Sequence, residues 1–273
     1  MKKVVSPLLP ISTTRTVLSY RKGELQEVQD IVVTEFPVTI FLNDEEFATV
    51  VCTPEYMEDM VVGFLHSEGV LRSYEDIRSV TVDESQGFVY VETDKLVKLN
   101  TRLYNKRYIT SCCGKSRQSF YFFNDARTVK TMKEQNVTLT VDDCFRLMSE
   151  MQAGAGLFQE TGGVHNAALC DRNGVLLART DIGRHNALDK LYGHCLKNGI
   201  SVADKIVVFS GRISSEILLK VAKIGCEVVL SKSAPTELAL EMADELGITA
   251  VGFIRHETLN VYTHPERIQN SRS

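Results

Sequence analysis

The sequence predicts an α/β protein in two parts: a smaller, strand-rich α+β part over residues 1–137 and a larger α/β domain over 138–273. Three observations carry this expectation. From residue 140 onward, amphipathic helical segments alternate with short apolar β-type runs, the pattern of a largely parallel sheet covered by helices on both faces. Before about residue 110 the chain reads mainly as strands around one helix. Its 273 residues, 44% hydrophobic and 24% charged, are enough to bury a substantial core.

In chain order, VTIFLNDEEFATVVC (38–52) is two apolar runs around a polar turn, which predicts a hairpin. TPEYMEDMVVGFLHSEG follows. Thr53 is a candidate cap, Pro54 suits a first helical position, and Met57, Met60, Val61, Phe64 and Leu65 form one stripe, so a helix is expected over about 54–67. GFVYVET and KLVKLN read as strands, and RYITSCCGKSR places two adjacent cysteines in a loop after a strand. Residues 117–137 are polar and irregular. Phe120, Tyr121, Phe122 and Phe123 within them suit a partner surface or an anchor to their own domain.

Thr140 with Asp143 fits a capping box, and Val141, Cys144, Phe145, Leu147 and Met148 share a helical face. HNAALCD and VLLARTD flank the turn RNG as a hairpin. A helix is expected over about 184–197. After it come strand KIVVFSG, helix SSEILLKVAKIG, strand CEVVLSKS, helix PTELALEMADELG, and strand material in ITAVGFIRH and LNVYTH.

A formal net charge of −4 argues against bulk attraction to a nucleic-acid backbone but leaves room for a small anion in a local basic pocket. The start, MKKVVSPLLPISTTR, has only short apolar pieces broken by Pro7 and Pro10, unlike a signal peptide, and no segment reaches bilayer length. The expectation is a cytoplasmic chain without membrane insertion.

Three junctions between strand and helix share one chemistry. RTDIGRHNALD (179–189), SGRISSE (210–216) and SKSAPTE (231–237) each offer backbone N–H groups at a helix start together with hydroxyls, and two add arginines. Such sites suit phosphate or another anion, and in an open parallel sheet they gather where ligands bind. Ser210, Gly211, Arg212, Ser214 and Ser215 are the first candidates, followed by Ser231, Ser233, Ala234, Pro235 and Thr236. The competing reading is that Ser214 and Thr236 only cap helices. No GxxxxGK[ST] loop or GxGxxG fingerprint is present. Asp181, Arg184, His185 and Asn186 gather at one helix start, where Asp181 can hold an imidazole or an arginine and His185 can exchange protons. A satisfied structural network is the alternative. In ETGGVHNAA, Gly162 and Gly163 precede His165 and Asn166, either for close approach of a ligand or as a simple turn.

Seven cysteines are present. Cys52, Cys144, Cys170, Cys195 and Cys226 sit in apolar or amphipathic surroundings and are expected to be inert packed thiols. Cys112 and Cys113 lie among Gly, Lys, Ser and Arg. Adjacent cysteines are awkward for chelation, and no compact Cys/His ligand motif exists, so no metal site is expected. Lys115 and Arg117 favour a thiolate, which makes sulfur transfer possible.

With these pieces assembled, the sequence resembles the formate dehydrogenase accessory sulfurtransferase family, FdhD. TPEYMEDMVVGFLHSEG, TSCCGKS, TGGVHNAAL, TDIGRHNALDK, SGRISSE, SKSAPTELA and GFIRHETLNVYTHPERI occur in family order across nearly the whole chain. The resemblance implies a larger domain similar to the cytidine deaminase fold without its zinc site. It also implies persulfide sulfur accepted from a cysteine desulfurase and passed to the molybdenum bis(molybdopterin guanine dinucleotide) cofactor of formate dehydrogenase. Guanine nucleotides would occupy the same site, in a homodimer. The family's Cys-Gly-x-Cys maps onto Cys113-Gly114-Lys115-Ser116, which gives Cys113 the persulfide role. Cys112 stands in front, and Ser116 replaces the second cysteine. The family's cofactor segment maps onto Gly252, Phe253, Ile254, Arg255, His256 and Glu257. Rival expectations are a non-catalytic cofactor-binding chaperone and a deaminase-like zinc hydrolase.

Overall fold

The computed structural model describes residues 9–93, 107–109, 129, 131–132 and 135–270. Cys112, Cys113, Lys115, Ser116, Arg117, the four aromatics at 120–123 and KLVKLN lie outside the described residues.

Strands β1 (Ser12–Arg21) and β2 (Glu24–Val33) form a two-stranded antiparallel ribbon. It closes through Lys22 and Gly23, both at positive φ, the turn whose twist matches paired strands. The predicted hairpin follows as β3 (Phe36–Leu42) and β4 (Glu45–Cys52), turning at Asn43 and Asp44, which tolerate left-handed backbone.

Helix α1 (Met57–Ser67) begins three residues later than its sequence suggests. Thr53 does not cap it. Its N–H and its hydroxyl both donate to Asp181 Oδ2, at 2.9 Å each, and the left-handed Tyr56 occupies the cap position. Strands β5 (Ile77–Asp83), β6 (Phe88–Thr93) and β7 (Arg107–Ile109) complete a five-stranded sheet in the order β5-β6-β3-β4-β7.

The larger part opens with β8 (Leu139–Thr140) and α2 (Val141–Ala153). The capping box is as expected: Asp143 N–H donates to Thr140 Oγ1, and Thr140 N–H donates back to Asp143 Oδ2. Then come α3 (Gly156–Thr161), β9 (His165–Asp171), β10 (Gly174–Asp181), α4 (Arg184–Lys197), β11 (Ile206–Phe209), α5 (Ser215–Ile224), β12 (Val228–Ser231), α6 (Glu237–Leu246), β13 (Thr249–Arg255), β14 (Thr258–Val261) and β15 (Ile268–Gln269).

The six-stranded sheet has the order β10-β9-β11-β12-β13-β14. It is mixed, which corrects the expectation of a largely parallel sheet. β11 pairs in parallel with β12 and β12 with β13, but β9 pairs antiparallel with both β10 and β11, and β13 with β14. The cause is topological. β10 crosses over through α4 to β11, and β9 lies between them. β10, β11, β12 and β13 therefore still run the same way, so their carboxyl ends share one edge of the sheet. Helices cover both faces as expected: α2 on one, α4, α5 and α6 on the other.

The two sheets meet through helices. One side of α1 buries Met57, Met60, Val61, Phe64 and Leu65 against the five-stranded sheet. The other side crosses α4 at Gly63 and Gly193. A Cβ on Gly63 would overlap the Asp189 carbonyl, and one on Gly193 would overlap the Asp59 carbonyl. Only glycine lets two helix backbones approach so closely. Charge surrounds the crossing. Asp59, nearly buried, accepts from Arg179 at 3.1 Å and Lys197 at 2.7 Å. Burial opposes its ionisation, but hydrogen bonds from Lys197 and Arg179 outweigh that and hold its carboxyl below the usual range.

Gly193→Leu must therefore force α1 and α4 apart. Chemical denaturation should show a loss of more than about 2 kcal/mol, or no folded protein, whereas Gly156→Ala, with open space around it and no left-handed backbone, should cost less.

Candidate functional site

The shared strand edge brings together all four segments singled out in the sequence. Ile213 N–H donates to the Ala234 carbonyl at 3.1 Å, and Thr236 N–H to the Ile213 carbonyl at 3.0 Å. Phe253 N–H donates to the Ser233 carbonyl at 3.1 Å, and Arg255 Nε to the Lys232 carbonyl at 3.3 Å. On the other side, Ser210 N–H donates to the Asn166 carbonyl, while Asn166 N–H donates to Ser210 Oγ at 2.9 Å. The junctions after β10, β11 and β12 and the β13–β14 hairpin thus form one continuous surface.

Several sequence candidates on that surface are structural. Ser210 Oγ is held by Asn166. Ser231 is buried, donating to the Gly211 carbonyl at 2.7 Å and accepting from Ser233 N–H at 3.0 Å. Ser214 caps α5 by accepting from Ile217 N–H. Gly211 is buried, and a Cβ there would strike the Phe209 ring. Ile254 belongs to the core beside α2, and Gly252 is packed against Ser233 and Tyr262.

Asp181 also differs from its expectation. It holds neither an imidazole nor an arginine but the ammonium of Lys190, at 2.7 Å, and both side chains are fully buried. Its Oδ2 also takes the two Thr53 bonds, and its Oδ1 accepts from Gly183 N–H at 2.7 Å and Asn186 Nδ2 at 2.9 Å. Lys190 donates further to Thr53 Oγ1 at 2.7 Å. The carboxylate fixes the junction and has no free lone pair facing a ligand.

What remains accessible includes three arginines, two histidines and one glutamate. Arg212, Thr236, Phe253, Arg255, His256 and Glu257 are exposed, while Ser215, Ser233, Arg184 and His185 are half-buried. The Arg184 Nε is buried with no partner among the described residues. His185 Nε2 lies 3.2 Å from Glu216 Oε2, and that contact, against burial, keeps the Glu216 carboxyl low. His165 stacks near Phe209. Burial, then the nearby Arg184 charge, lowers its pKa and favours the neutral ring.

Beside this edge lies a cavity of about 370 Å³. Phe145, Met148 and Ile254 form its apolar lining, Lys232, Arg255 and His256 its basic rim, and Ser149 and Gln152 add polar groups. Lys232 Nζ donates to Gln152 Oε1 at 3.0 Å. Sequence reasoning missed Lys232, Ser149 and Gln152. Lys232 stood inside SKSAPTE, but nothing local marks the α2 residues as its neighbours. Phe253 and His256 adopt φ of 54° and 49°, left-handed values that bend the β13–β14 hairpin. This puts the Phe253 ring at the surface with the Arg255 guanidinium 5.8 Å from its centroid.

The five described cysteines are all buried. Burial pushes Cys52, Cys144 and Cys170 up to about 12 and Cys195 to about 11, and it raises Cys226 as well. These thiols are inert, as expected. Cys112, Cys113 and Lys115 lie outside the described residues, but the strand leading to them is placed. β7 runs parallel to β4, with Ile109 opposite Val50. The next β4 residue, Val51, accepts from Asn186 Nδ2 at 2.8 Å and packs with Val164 and Ile182.

Among the described residues, no group of three or more His, Cys, Asp or Glu could hold a metal ion, and no helix is long and apolar enough to cross a membrane.

The FdhD/NarQ family model matches residues 33–269. The chain belongs to this family. It is 59% identical over 259 residues to the sulfur carrier protein FdhD of Bacillus subtilis strain 168, covering 95% of this chain and 98% of that protein. It is 53% identical over 260 residues to the sulfur carrier protein FdhD of Listeria innocua, covering 95% and 100%. A crystal structure described as a formate dehydrogenase accessory protein from Desulfotalea psychrophila superposes with a TM-score of 0.77 at 28% identity, covering 95% of this chain and all of that one. In this FdhD/NarQ chain, β7 precedes the cysteine motif in sequence and pairs with β4, and Asp181 anchors the end of β4 to the basic edge.

Removing one partner of the Asp181–Lys190 pair leaves a buried charge. Lys190→Met should cost about 3–5 kcal/mol in chemical denaturation, and Asp181→Leu with Lys190→Met should cost less than Lys190→Met alone.

Proposed function

We propose that this chain is a sulfur carrier and sulfurtransferase in which Cys113 accepts persulfide sulfur from a cysteine desulfurase. It then passes that sulfur to a molybdenum bis(molybdopterin guanine dinucleotide) destined for formate dehydrogenase. The observation that carries the reading is that β7, which precedes the cysteine motif in sequence, pairs with β4, and that Val51 of β4 and the adjoining Thr53 are bonded to Asn186 and Asp181 at the junction. The relatives named sulfur carrier proteins support the sulfur chemistry. In this reading the larger part is a scaffold similar to the cytidine deaminase fold, adapted to hold an anionic nucleotide.

The residues present suit such an acceptor. Arg212, Arg255 and Lys232 supply cations for pyrophosphate, and His256 and the orphaned Arg184 Nε supply further hydrogen-bonding groups. The exposed Phe253 ring and the Phe145 and Met148 side chains offer surfaces for a flat heterocycle. The bound cofactor supplies the metal that receives sulfur; the chain positions its nucleotide ends.

The loading step balances without an external oxidant. The Cys113 thiolate attacks the terminal sulfur of the desulfurase persulfide. A new S–S bond forms at Cys113, the donor's S–S bond breaks, and the donor leaves as a thiolate. Lys115 and Arg117, close in sequence, favour the anionic forms, and Cys112 is available to assist. A chaperone that binds the cofactor without carrying sulfur is the second reading. It is favoured by one observation: the basic edge is built without the cysteine motif.

Mass spectrometry after incubation with desulfurase and cysteine should show added sulfur on wild-type protein and none at the motif in Cys113→Ala. Undiminished loading of Cys113→Ala would overturn the role of Cys113, whereas cofactor binding and formate dehydrogenase activation that survive loss of Cys113 without any loading would favour the chaperone reading. For the edge itself, Arg212→Ala and Arg255→Ala should each weaken GDP binding by about 5–150-fold in calorimetric titration, from loss of charge-assisted contacts worth roughly 1–3 kcal/mol. Unchanged affinity in both would move the nucleotide site elsewhere.

A further inference from the structure

We propose that the cavity at the C-terminal ends of α1 and α4 is a second binding site. Its ligand is a small uncharged molecule with an apolar body and one hydrogen-bond acceptor, the chemistry of a ketone. The reasoning rests on this cavity alone and is independent of the sulfur-carrier reading.

The cavity has a volume of about 250 Å³. It is lined from the last turns of α1 and α4, the turn at Tyr74–Asp76, and Ile224 at the end of α5. α4 spans about 20 Å and starts at the basic edge, so the cavity and that edge lie at opposite ends of one helix. The volume is below that of a drug-sized pocket and suits a single ring or a short branched chain.

Much of the lining is aliphatic. Ile224 is buried, while Leu196, Ile200 and Val202 pack on the same core yet remain half-buried. An ordered water needs two to four polar partners, and these side chains supply none. An apolar group set against them gains by leaving water.

The same lining carries one unspent donor. His66 Nε2 lies 3.0 Å from the Arg72 carbonyl, which can only accept, so Nε2 carries the ring proton and donates it there. A proton on Nδ1 instead would find no acceptor, because that atom is buried without a partner among the described residues. Tyr192 Oη lies 3.4 Å from the same Nε2, and the two rings meet edge to face with centroids 4.8 Å apart. Nε2 has no lone pair left to accept from it. The Tyr192 hydroxyl proton therefore has no acceptor among the described residues.

Charge argues against an ion. Burial lowers the His66 pKa and favours the neutral ring, and it raises the pKa of Tyr192. The two charged lining residues, Arg72 and Glu75, are exposed and of opposite sign. A ligand ion would meet no net charge here and would lose its water against Leu196, Ile200 and Ile224. A carbonyl oxygen meets the one polar requirement left, an acceptor for Tyr192 O–H.

Acetophenone and ethylbenzene, alike in shape and different at the carbonyl, test this by NMR titration of the full chain. Acetophenone should bind wild type with a Kd of about 1 mM or below. It should bind about 2–10-fold tighter than ethylbenzene, the effect of one neutral hydrogen bond. Tyr192→Phe, which removes only the hydroxyl, should erase that preference and leave ethylbenzene affinity unchanged. Ile200→Trp, filling the cavity from a half-buried position, should abolish binding of both with unchanged circular dichroism. GDP should not displace acetophenone, and benzoate should bind more weakly than acetophenone. The proposal is overturned by a wild type that does not bind acetophenone, by a preference that survives in Tyr192→Phe, or by binding retained in folded Ile200→Trp. Displacement by GDP, or tighter binding of benzoate, overturns it as well. If Ile200→Trp does not fold, the comparison in Tyr192→Phe decides.

Discussion

The Asp181–Lys190 ion pair organises the molecule. Two opposite charges at 2.7 Å, with no exposure to solvent, are tolerable only when every remaining lone pair and proton has a partner. Here Thr53, Gly183 and Asn186 complete the carboxylate, while Thr53 and the Thr180 carbonyl complete the ammonium. Those partners come from both sheets. The requirement to satisfy one buried pair therefore fixes the end of β4, the start of α4 and the first junction of the basic edge relative to one another. Position along the edge then follows through Asn166 and Ser210 to the segments after β11, β12 and β13.

Much of this was legible in the sequence where the signal is local. The Thr140–Asp143 box, the 184–197 helix and the hairpin around Asn43 and Asp44 depend on residues within a turn of one another. The convergence of three junctions followed from alternation, because each strand–helix–strand step returns its next strand in the same direction. Thr53 was misread because its hydroxyl is claimed by a carboxylate 128 residues away, and no capping rule sees that competitor. The mixed pairing of the sheet was missed because the pattern gives strand direction but not which strand lies between β10 and β11. The ribbon was not resolved because both its faces carry many polar residues, so period-two alternation is weak. Helix α3, six residues between glycines, is too short for a periodic signal.

The candidate site divides in the same way. Residue type identified the cations and their approximate grouping. It did not distinguish Ser231 and Ser210, whose hydroxyls are occupied within the protein, from Arg212 and Arg255, which face outward. That distinction depends on where backbone donors of neighbouring loops fall. The same is true of Gln152 and Ser149, brought to Lys232 from a helix on the far side of the sequence.

The sealed thiols of Cys52, Cys144, Cys170, Cys195 and Cys226 have a consequence for selectivity. Sulfane sulfur exchanges freely among accessible thiolates, and a protein rich in them would scatter its cargo by internal migration. If the chain carries sulfur as proposed, these five thiols of the described body offer such an atom no competing place to land at physiological pH.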